Sequence, residues 1–173
     1  PARLKDCGAH AFDELSYPGD SIKQEYKEDI LVGYRWHDTK KIPALFPFGH
    51  GLSYTTFTYG KPVASAKVMA ADGTLTLTVA VKNTGSVAGK EIVQLYIGDD
   101  KCSVLRPVKE LKHFAKVALA PGEEKNVTFT LTPDDLKFYD EASAAWKYEP
   151  GKFKAYVCAS SADVRGVVPF EMQ

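Results

Sequence analysis

Thr74-Leu75-Thr76-Leu77-Thr78-Val79-Ala80-Val81-Lys82 alternates one residue in, one residue out. Successive strand residues point to opposite faces, so Leu75, Leu77, Val79 and Val81 share one face and the threonines share the other. Asn83-Thr84-Gly85 then closes the run with turn residues. The same period recurs downstream. Ile92–Gly98 puts Val93, Leu95 and Ile97 on one face, Lys125–Thr132 puts Val127, Phe129 and Leu131 there, and Lys152–Cys158 puts Phe153, Ala155 and Val157 there. Leu111–Leu119 is less regular and predicts a bulge. Ala144–Tyr148 predicts a short strand around Trp146. Val164–Glu171 predicts a last strand that Pro169 confines to a sheet edge. Pro133-Asp134-Asp135-Leu136 predicts one helical turn with Pro133 at its start. Seven to nine short strands, turns every 8–12 residues and almost no helical period predict an all-β, immunoglobulin or fibronectin type III-like antiparallel sandwich over about 115 residues.

Upstream of Thr55 the pattern differs. Residues 1–25 hold no sustained period, and Tyr17-Pro18-Gly19-Asp20 signals a turn. In residues 26–36 (YKEDILVGYRW) the apolar run Ile30-Leu31-Val32 predicts a strand covered on both faces, with Gly33 marking close packing or a bulge. Nothing else in residues 1–45 offers such a strand a neighbour, so its partners are expected elsewhere. Asp38–Pro43 predicts a loop. Phe46–Phe57 (FPFGHGLSYTTF) sets aromatics around two glycines and reads as a hinge packed by its rings, with the His50 ring bonded to backbone; a substrate-contacting role for His50 is the alternative. The expected division is 1–45, the irregular extension; 46–57, the hinge; and 58–173, the sandwich.

Composition narrows the function. The 173 residues carry 22 Lys+Arg against 22 Asp+Glu. A balanced surface gives no electrostatic reason to expect nucleic acid or an anionic membrane. No apolar run is long enough for a transmembrane helix. Residues 1–20 show no signal-peptide core, and the start at Pro1 fits a piece of a longer protein. Cys7, Cys102 and Cys158 are odd in number and widely spaced, with no CxxC, and read as unpaired thiols; a Cys102–Cys158 bridge is the alternative. His10, His37, His50 and His113 have no ligand spacing, so no metal site is expected. No serine sits in a nucleophile elbow, and no GK[ST] follows Gly49-His50-Gly51. The acidic pairs Glu28-Asp29, Asp99-Asp100, Glu123-Glu124, Asp134-Asp135 and Asp140-Glu141 read as solvated turn charge. Asn126-Val127-Thr128 fits the glycosylation pattern but lies mid-strand. Trp36, Trp146 and the tyrosines allow a carbohydrate-binding surface, although their positions favour core packing. The loop Asp99–Lys109 is the longest connection in the sandwich, and Arg106-Pro107 is placed to fix its exit.

Taken together, YKEDILVGYR (26–35), FPFGHGLSYTTF (46–57), RPVKELKHF (106–114), LAPGE (119–123), DLKFYD (135–140), the Trp146–Phe153 stretch and Ser160-Ser161 resemble the C-terminal part of a family 3 glycoside hydrolase of the β-glucosidase type, including its fibronectin type III-like domain. Departures are Asp29 where the family usually has Gly, Trp36-His37, and His113 in place of Gly. The resemblance implies a retaining glycosidase whose aspartate nucleophile and glutamate acid/base both lie upstream of Pro1. Hence no catalytic, cofactor-binding or metal residue is expected here, and no cofactor. It also implies that residues 1–45 are the tail of the α/β-sandwich catalytic domain, that the upstream catalytic domains are the partners, that carbohydrate is a substrate for the parent alone, and that the parent is periplasmic or secreted. Retaining hydrolysis needs two carboxylates about 5–5.5 Å apart in a sugar-sized cleft, which sequence-adjacent acidic pairs do not make. The expected role is structural. The alternatives are a carbohydrate-binding module and a free-standing interaction module.

Overall fold

The computed structural model describes residues 1–173. Eleven strands follow a short helix: α1 (Tyr34–Lys40), β1 (Phe57–Tyr59), β2 (Val63–Ala64), β3 (Val68–Met69), β4 (Leu75–Asn83), β5 (Gly89–Asp99), β6 (Glu110–Leu119), β7 (Glu124–Leu131), β8 (Phe138–Asp140), β9 (Ala145–Lys147), β10 (Gly151–Ser160) and β11 (Asp163–Met172). In one sheet β4 pairs with β7 on one side and with β1 and β2 in turn on the other; the second sheet has the order β3-β11-β10-β5-β6, and β8-β9 is a separate hairpin. All pairs are antiparallel except the two-residue match of β3 with β11.

The alternation does what it predicts. Leu75, Leu77, Val79 and Val81 of β4 meet Val93, Leu95 and Ile97 of β5, Val127, Phe129 and Leu131 of β7, and Phe153, Ala155 and Val157 of β10 in one buried cluster of 18 residues. Threonines fill the opposite face of the β4–β7 pair, where Thr78 and Thr128 stand directly across from each other with hydroxyls 3.0 Å apart. The irregularity in Leu111–Leu119 is a bulge: His113 stands opposite Leu95 and Leu111 opposite Tyr96, so Lys112 is the extra residue. Pro133–Leu136 forms the single turn, with Asp135 accepting from the Thr132 N–H at 2.7 Å. Pro169 faces Lys154 on one side and lies on the open length of β11, clear of the short β3 match. All three cysteines are free.

The predicted strand over 26–36 does not form. Residues 27–30 turn and Tyr34–Lys40 is helical. The apolar run is misleading because only Leu31 is buried; Ile30 and Val32 face solvent. Gly33 enters α1 at φ 61, and a Cβ there would touch nothing, so glycine serves the backbone angle rather than close packing. Lys41, at φ 56, closes the helix with its N–H bonded to the His37 carbonyl. The predicted loop from Asp38 therefore begins three residues later. Residues 1–40 also hold a small cluster of their own: the buried Trp36 indole donates to the Asp6 carbonyl at 3.0 Å, with Phe12 and the Cα of Gly8 against it.

Candidate interdomain interface

β5 carries the clue. Residues 93–98 are buried without interruption, although only Val93, Leu95 and Ile97 face the core. A strand buried on both faces needs a cover on its outer side. Here α1 and the first half of the 46–57 hinge supply it. Tyr34 of α1 sets its ring edge-on to Tyr96 at 5.6 Å and packs on Phe48 at 5.3 Å, while its hydroxyl accepts from the Leu111 N–H at 2.9 Å. The Phe48 carbonyl accepts from Ser161 N–H at 2.8 Å. Gly49, at φ 80, lies so close to the sheet that a Cβ would stand 2.2 Å from the Gln94 amide nitrogen. That amide is engaged already, donating to the Ala159 carbonyl at 3.0 Å and accepting from the Tyr96 hydroxyl at 2.6 Å. Burial raises the Tyr96 phenol well above its ordinary value and pushes the Cys158 thiol up to about 12, so both stay neutral beneath the cover.

Charges pin the edge of this contact. Lys109 leaves the 99–109 loop and reaches Asp38 of α1 at 2.5 Å, both side chains nearly buried. The Val108 N–H donates to Thr39 Oγ1 at 3.1 Å. Arg35 meets Glu110 at 3.3 Å. Arg106, itself buried, holds Glu110 at 2.8 Å, Asp99 at 3.5 Å and the Leu136 carbonyl at 3.0 Å, and lies over the Phe138 ring. The long loop thus exits on Arg106 and docks on α1.

Burial pushes the Glu110 carboxyl up, but the Arg106 hydrogen bond and the charges of Lys112, Arg106 and Arg35 outweigh it, so it sits below the ordinary value. A carboxyl depressed in the folded state contributes stability that is present above its unfolded value and lost as pH falls through the folded one. We therefore expect urea midpoints to hold steady down to about pH 5 and to fall below about pH 4.3, the ordinary Glu value, with Glu110→Gln removing part of the fall. An unchanged acid limb in that variant would contradict the assignment.

Several expected placements differ. His50 is exposed and its ring has no hydrogen bond; it lies 5.9 Å from the Phe46 ring, and the local turn is instead closed by its backbone N–H on the Pro47 carbonyl at 2.9 Å. The hinge aromatics do not pack the joint as a set: Phe46 is 75% exposed and Tyr54 is bare, while Phe48 bonds the sandwich through its carbonyl and Phe57 packs on the core. The other histidines have structural partners: His37 Nδ1 lies 3.0 Å from the Ile42 carbonyl, His113 Nε2 lies 2.9 Å from Asp135, and the His10 ring packs on Tyr17. Not all acidic pairs are solvated turn charge. Asp99 is buried against Arg106, Asp135 ties the 132–136 turn to His113, and Asp140 is buried, accepting from Ser143 and meeting Lys147 at 2.9 Å. Trp146 stands out in solvent instead of packing in the core. No three His, Cys, Asp or Glu side chains gather closely enough to hold a metal ion. No helix is long and apolar enough to cross a membrane.

The covered outer face, then, joins a sandwich to a segment that precedes it in sequence. Comparison with known proteins bears on that arrangement. Residues 91–161 match the family model described as fibronectin type III-like domain. Beta-glucosidase BoGH3A of Bacteroides ovatus is 67% identical over 99% of this chain, and thermostable beta-glucosidase B of Acetivibrio thermocellus is 49% identical over 90% of it. In crystal structures, DesR, a β-glucosidase from Streptomyces venezuelae solved with D-glucose, superposes with a TM-score of 0.84 at 42% identity over 93% of the chain. The chain spans only 23%, 21% and 20% of these three proteins, respectively. Residues 91–161 are therefore a fibronectin type III-like domain, and the chain as a whole corresponds to the C-terminal part of family 3 β-glucosidases.

Proposed function

We propose that this chain is the accessory, structural part of a retaining β-glycosidase of the β-glucosidase type, and that it stabilises the catalytic domains by holding their last segment against the sandwich. The observation that carries the proposal is the docking of α1 and Phe48-Gly49 on the outer face of β5, sealed by the Lys109–Asp38 ion pair. On this reading residues 1–45 belong structurally with the catalytic domain before them, 46–57 are the joint, and 58–173 are the sandwich. Phe46, Leu52 and Tyr54 leave large apolar side chains bare along the joint, and on this reading the rest of a longer enzyme packs there. A groove of roughly 510 Å³, lined by Tyr34, Ile42, Phe46 and Phe48 among others, opens at Phe46.

Catalysis is assigned to the upstream domains. Glu110 is held by Arg106, Asp38 by Lys109, and Asp140 by Ser143 and Lys147, so these carboxylates serve the fold rather than a displacement at a sugar carbon. Two measurements test the proposal. This chain alone should not turn over an aryl β-glucoside, and a full-length enzyme lacking the sandwich should unfold at a lower temperature than the intact one. Turnover by the chain itself, or an undiminished unfolding temperature in the shortened enzyme, would overturn it.

A further inference from the structure

The β8–β9 hairpin leaves two large rings uncovered. Tyr139 and Trp146 are direct partners across the hairpin, so they share a face; Phe138 and Asp140 alternate to the other face and are buried. Trp146 is 66% exposed and Tyr139 51%, with ring centres 5.7 Å apart and planes at 70°. The hairpin under them is fixed. Asp140 accepts from the Ser143 N–H at 3.1 Å and hydroxyl at 2.5 Å and meets Lys147 at 2.9 Å, while Arg106 and Lys147 both lie over the Phe138 ring. Binding on a platform already held in place forfeits little conformational freedom.

Beside the rings runs a cleft of roughly 700 Å³, bounded by the hairpin, the Val104–Pro107 loop, Ile30 and Arg35. Its size lies within the range of ligand clefts, about 300–1,000 Å³. Acidic and basic side chains line it in equal number. Such a rim does not favour a strong anion or cation. It suits a neutral ligand that both donates and accepts hydrogen bonds. A pyranose does so through its hydroxyls and offers an apolar C–H face to an aromatic ring.

We propose that this cleft is an oligosaccharide-binding subsite, in which Trp146 and Tyr139 stack on sugar rings and Arg35, Lys112 and Glu141 hydrogen-bond their hydroxyls. The inference rests on the proposed β-glycosidase reading only for its choice of probe, short β-linked oligosaccharides. It adds to the structural role a means of retaining substrate near the enzyme.

The test is titration of this chain with cellotriose, laminaritriose and xylotriose, following the two indole N–H signals by NMR. Trp36 is buried with its N–H bonded to Asp6 and serves as the internal control. We expect at least one sugar to shift the Trp146 signal saturably and leave that of Trp36 in place. Trp146→Ala, read through neighbouring backbone amides, and Tyr139→Ala should each weaken binding about tenfold, the loss expected for one stacking contact. No saturable shift with any of the three sugars, or undiminished affinity in a folded Trp146→Ala variant, would overturn the proposal. Neither result would touch the structural reading, which is judged by the unfolding temperature of the longer enzyme; a loss there with sugar binding intact here would refute that reading alone.

Discussion

Replacing Lys109 by Met should detach α1 from the sandwich. Lys109 and Asp38 are 2.5 Å apart and nearly buried, and Lys109 also lies over the Tyr96 ring. Removing one member of a buried pair leaves the other charge without a partner in a poorly solvated place, at a cost of about 3–5 kcal/mol. The chain has a cheaper outcome than carrying that cost. If α1 lifts away, Asp38 returns to water and the loss becomes that of the docking contacts themselves: Tyr34 on Tyr96 and Phe48, the Tyr34–Leu111 hydrogen bond and the Val108–Thr39 hydrogen bond. We therefore expect two signatures in Lys109→Met. Amide exchange in residues 34–40 should rise by orders of magnitude, while β4, β5, β7 and β10 stay protected. The Cys158 thiol, now uncovered, should react with a thiol reagent far faster than in the parent chain, because burial no longer suppresses its ionisation. Asp38→Asn in the same chain should restore much of the protection, since a neutral amide needs no cation. Exchange in 34–40 that stays slow in Lys109→Met would show that the ion pair does not hold the helix.

What the sequence discloses here depends on how local the cause is. The alternation in β4, β5, β7 and β10 is a property of each strand by itself, and the buried residues are those the period names. The single turn at Pro133–Leu136 is equally local, because its Thr132–Asp135 cap lies within four residues. The helix at 34–40 is not local. It is seven residues long, too short to show a helical period or to be stable alone, and it exists because Trp36 and Tyr34 are gripped from two sides. Ile30-Leu31-Val32 therefore reads as a strand by composition although Leu31 alone is covered.

The same logic governs the interface. Gln94 and Tyr96 fall on the face of β5 that alternation assigns to solvent, and the apolar pattern of β5 does not announce their cover. The signal that could have found it lies in two glycines, Gly49 in the hinge and Gly98 near the end of β5. At both positions a side chain would collide, with Gln94 in one case and with the Val108 carbonyl at 2.4 Å in the other. In the sequence Gly49 reads as a hinge glycine beside aromatics, which says nothing of the sheet it approaches. His50 failed as a lock for a related reason: the hinge is held by Gly49 and the Phe48 carbonyl, and the imidazole between the two glycines points away from both tasks. Asp29 shows the converse, a residue substituting for the glycine usual in its family yet held at φ 55, an angle aspartate tolerates better than most, with its own carboxylate accepting from the Ile30 N–H at 2.7 Å.

Gly49→Ala should be the most damaging single change in the hinge. Two costs add. At φ 80 an alanine pays about 1 kcal/mol for a left-handed backbone angle. Its methyl group would also stand 2.2 Å from the Gln94 nitrogen and 2.7 Å from the oxygen. An exposed glutamine would swing aside at little cost, but this one is 3% exposed and its amide bonds both the Ala159 carbonyl and the Tyr96 hydroxyl. Displacing it breaks those two bonds, each contributing about 1 kcal/mol, and leaves buried polar atoms unsatisfied. The sum is about 3 kcal/mol, and lifting the cover relieves it, so the cover should open as in Lys109→Met, with fast exchange across 34–40 and an accessible Cys158 thiol. A second substitution separates the two costs. Gln94→Ser shortens the side chain below the point of collision, so Gly49→Ala placed in a Gln94→Ser chain should cost only about 1 kcal/mol, the backbone part. If the cost of Gly49→Ala is the same in both backgrounds, the close approach to Gln94 is not what requires glycine there, and the cover on β5 must be held by α1 alone.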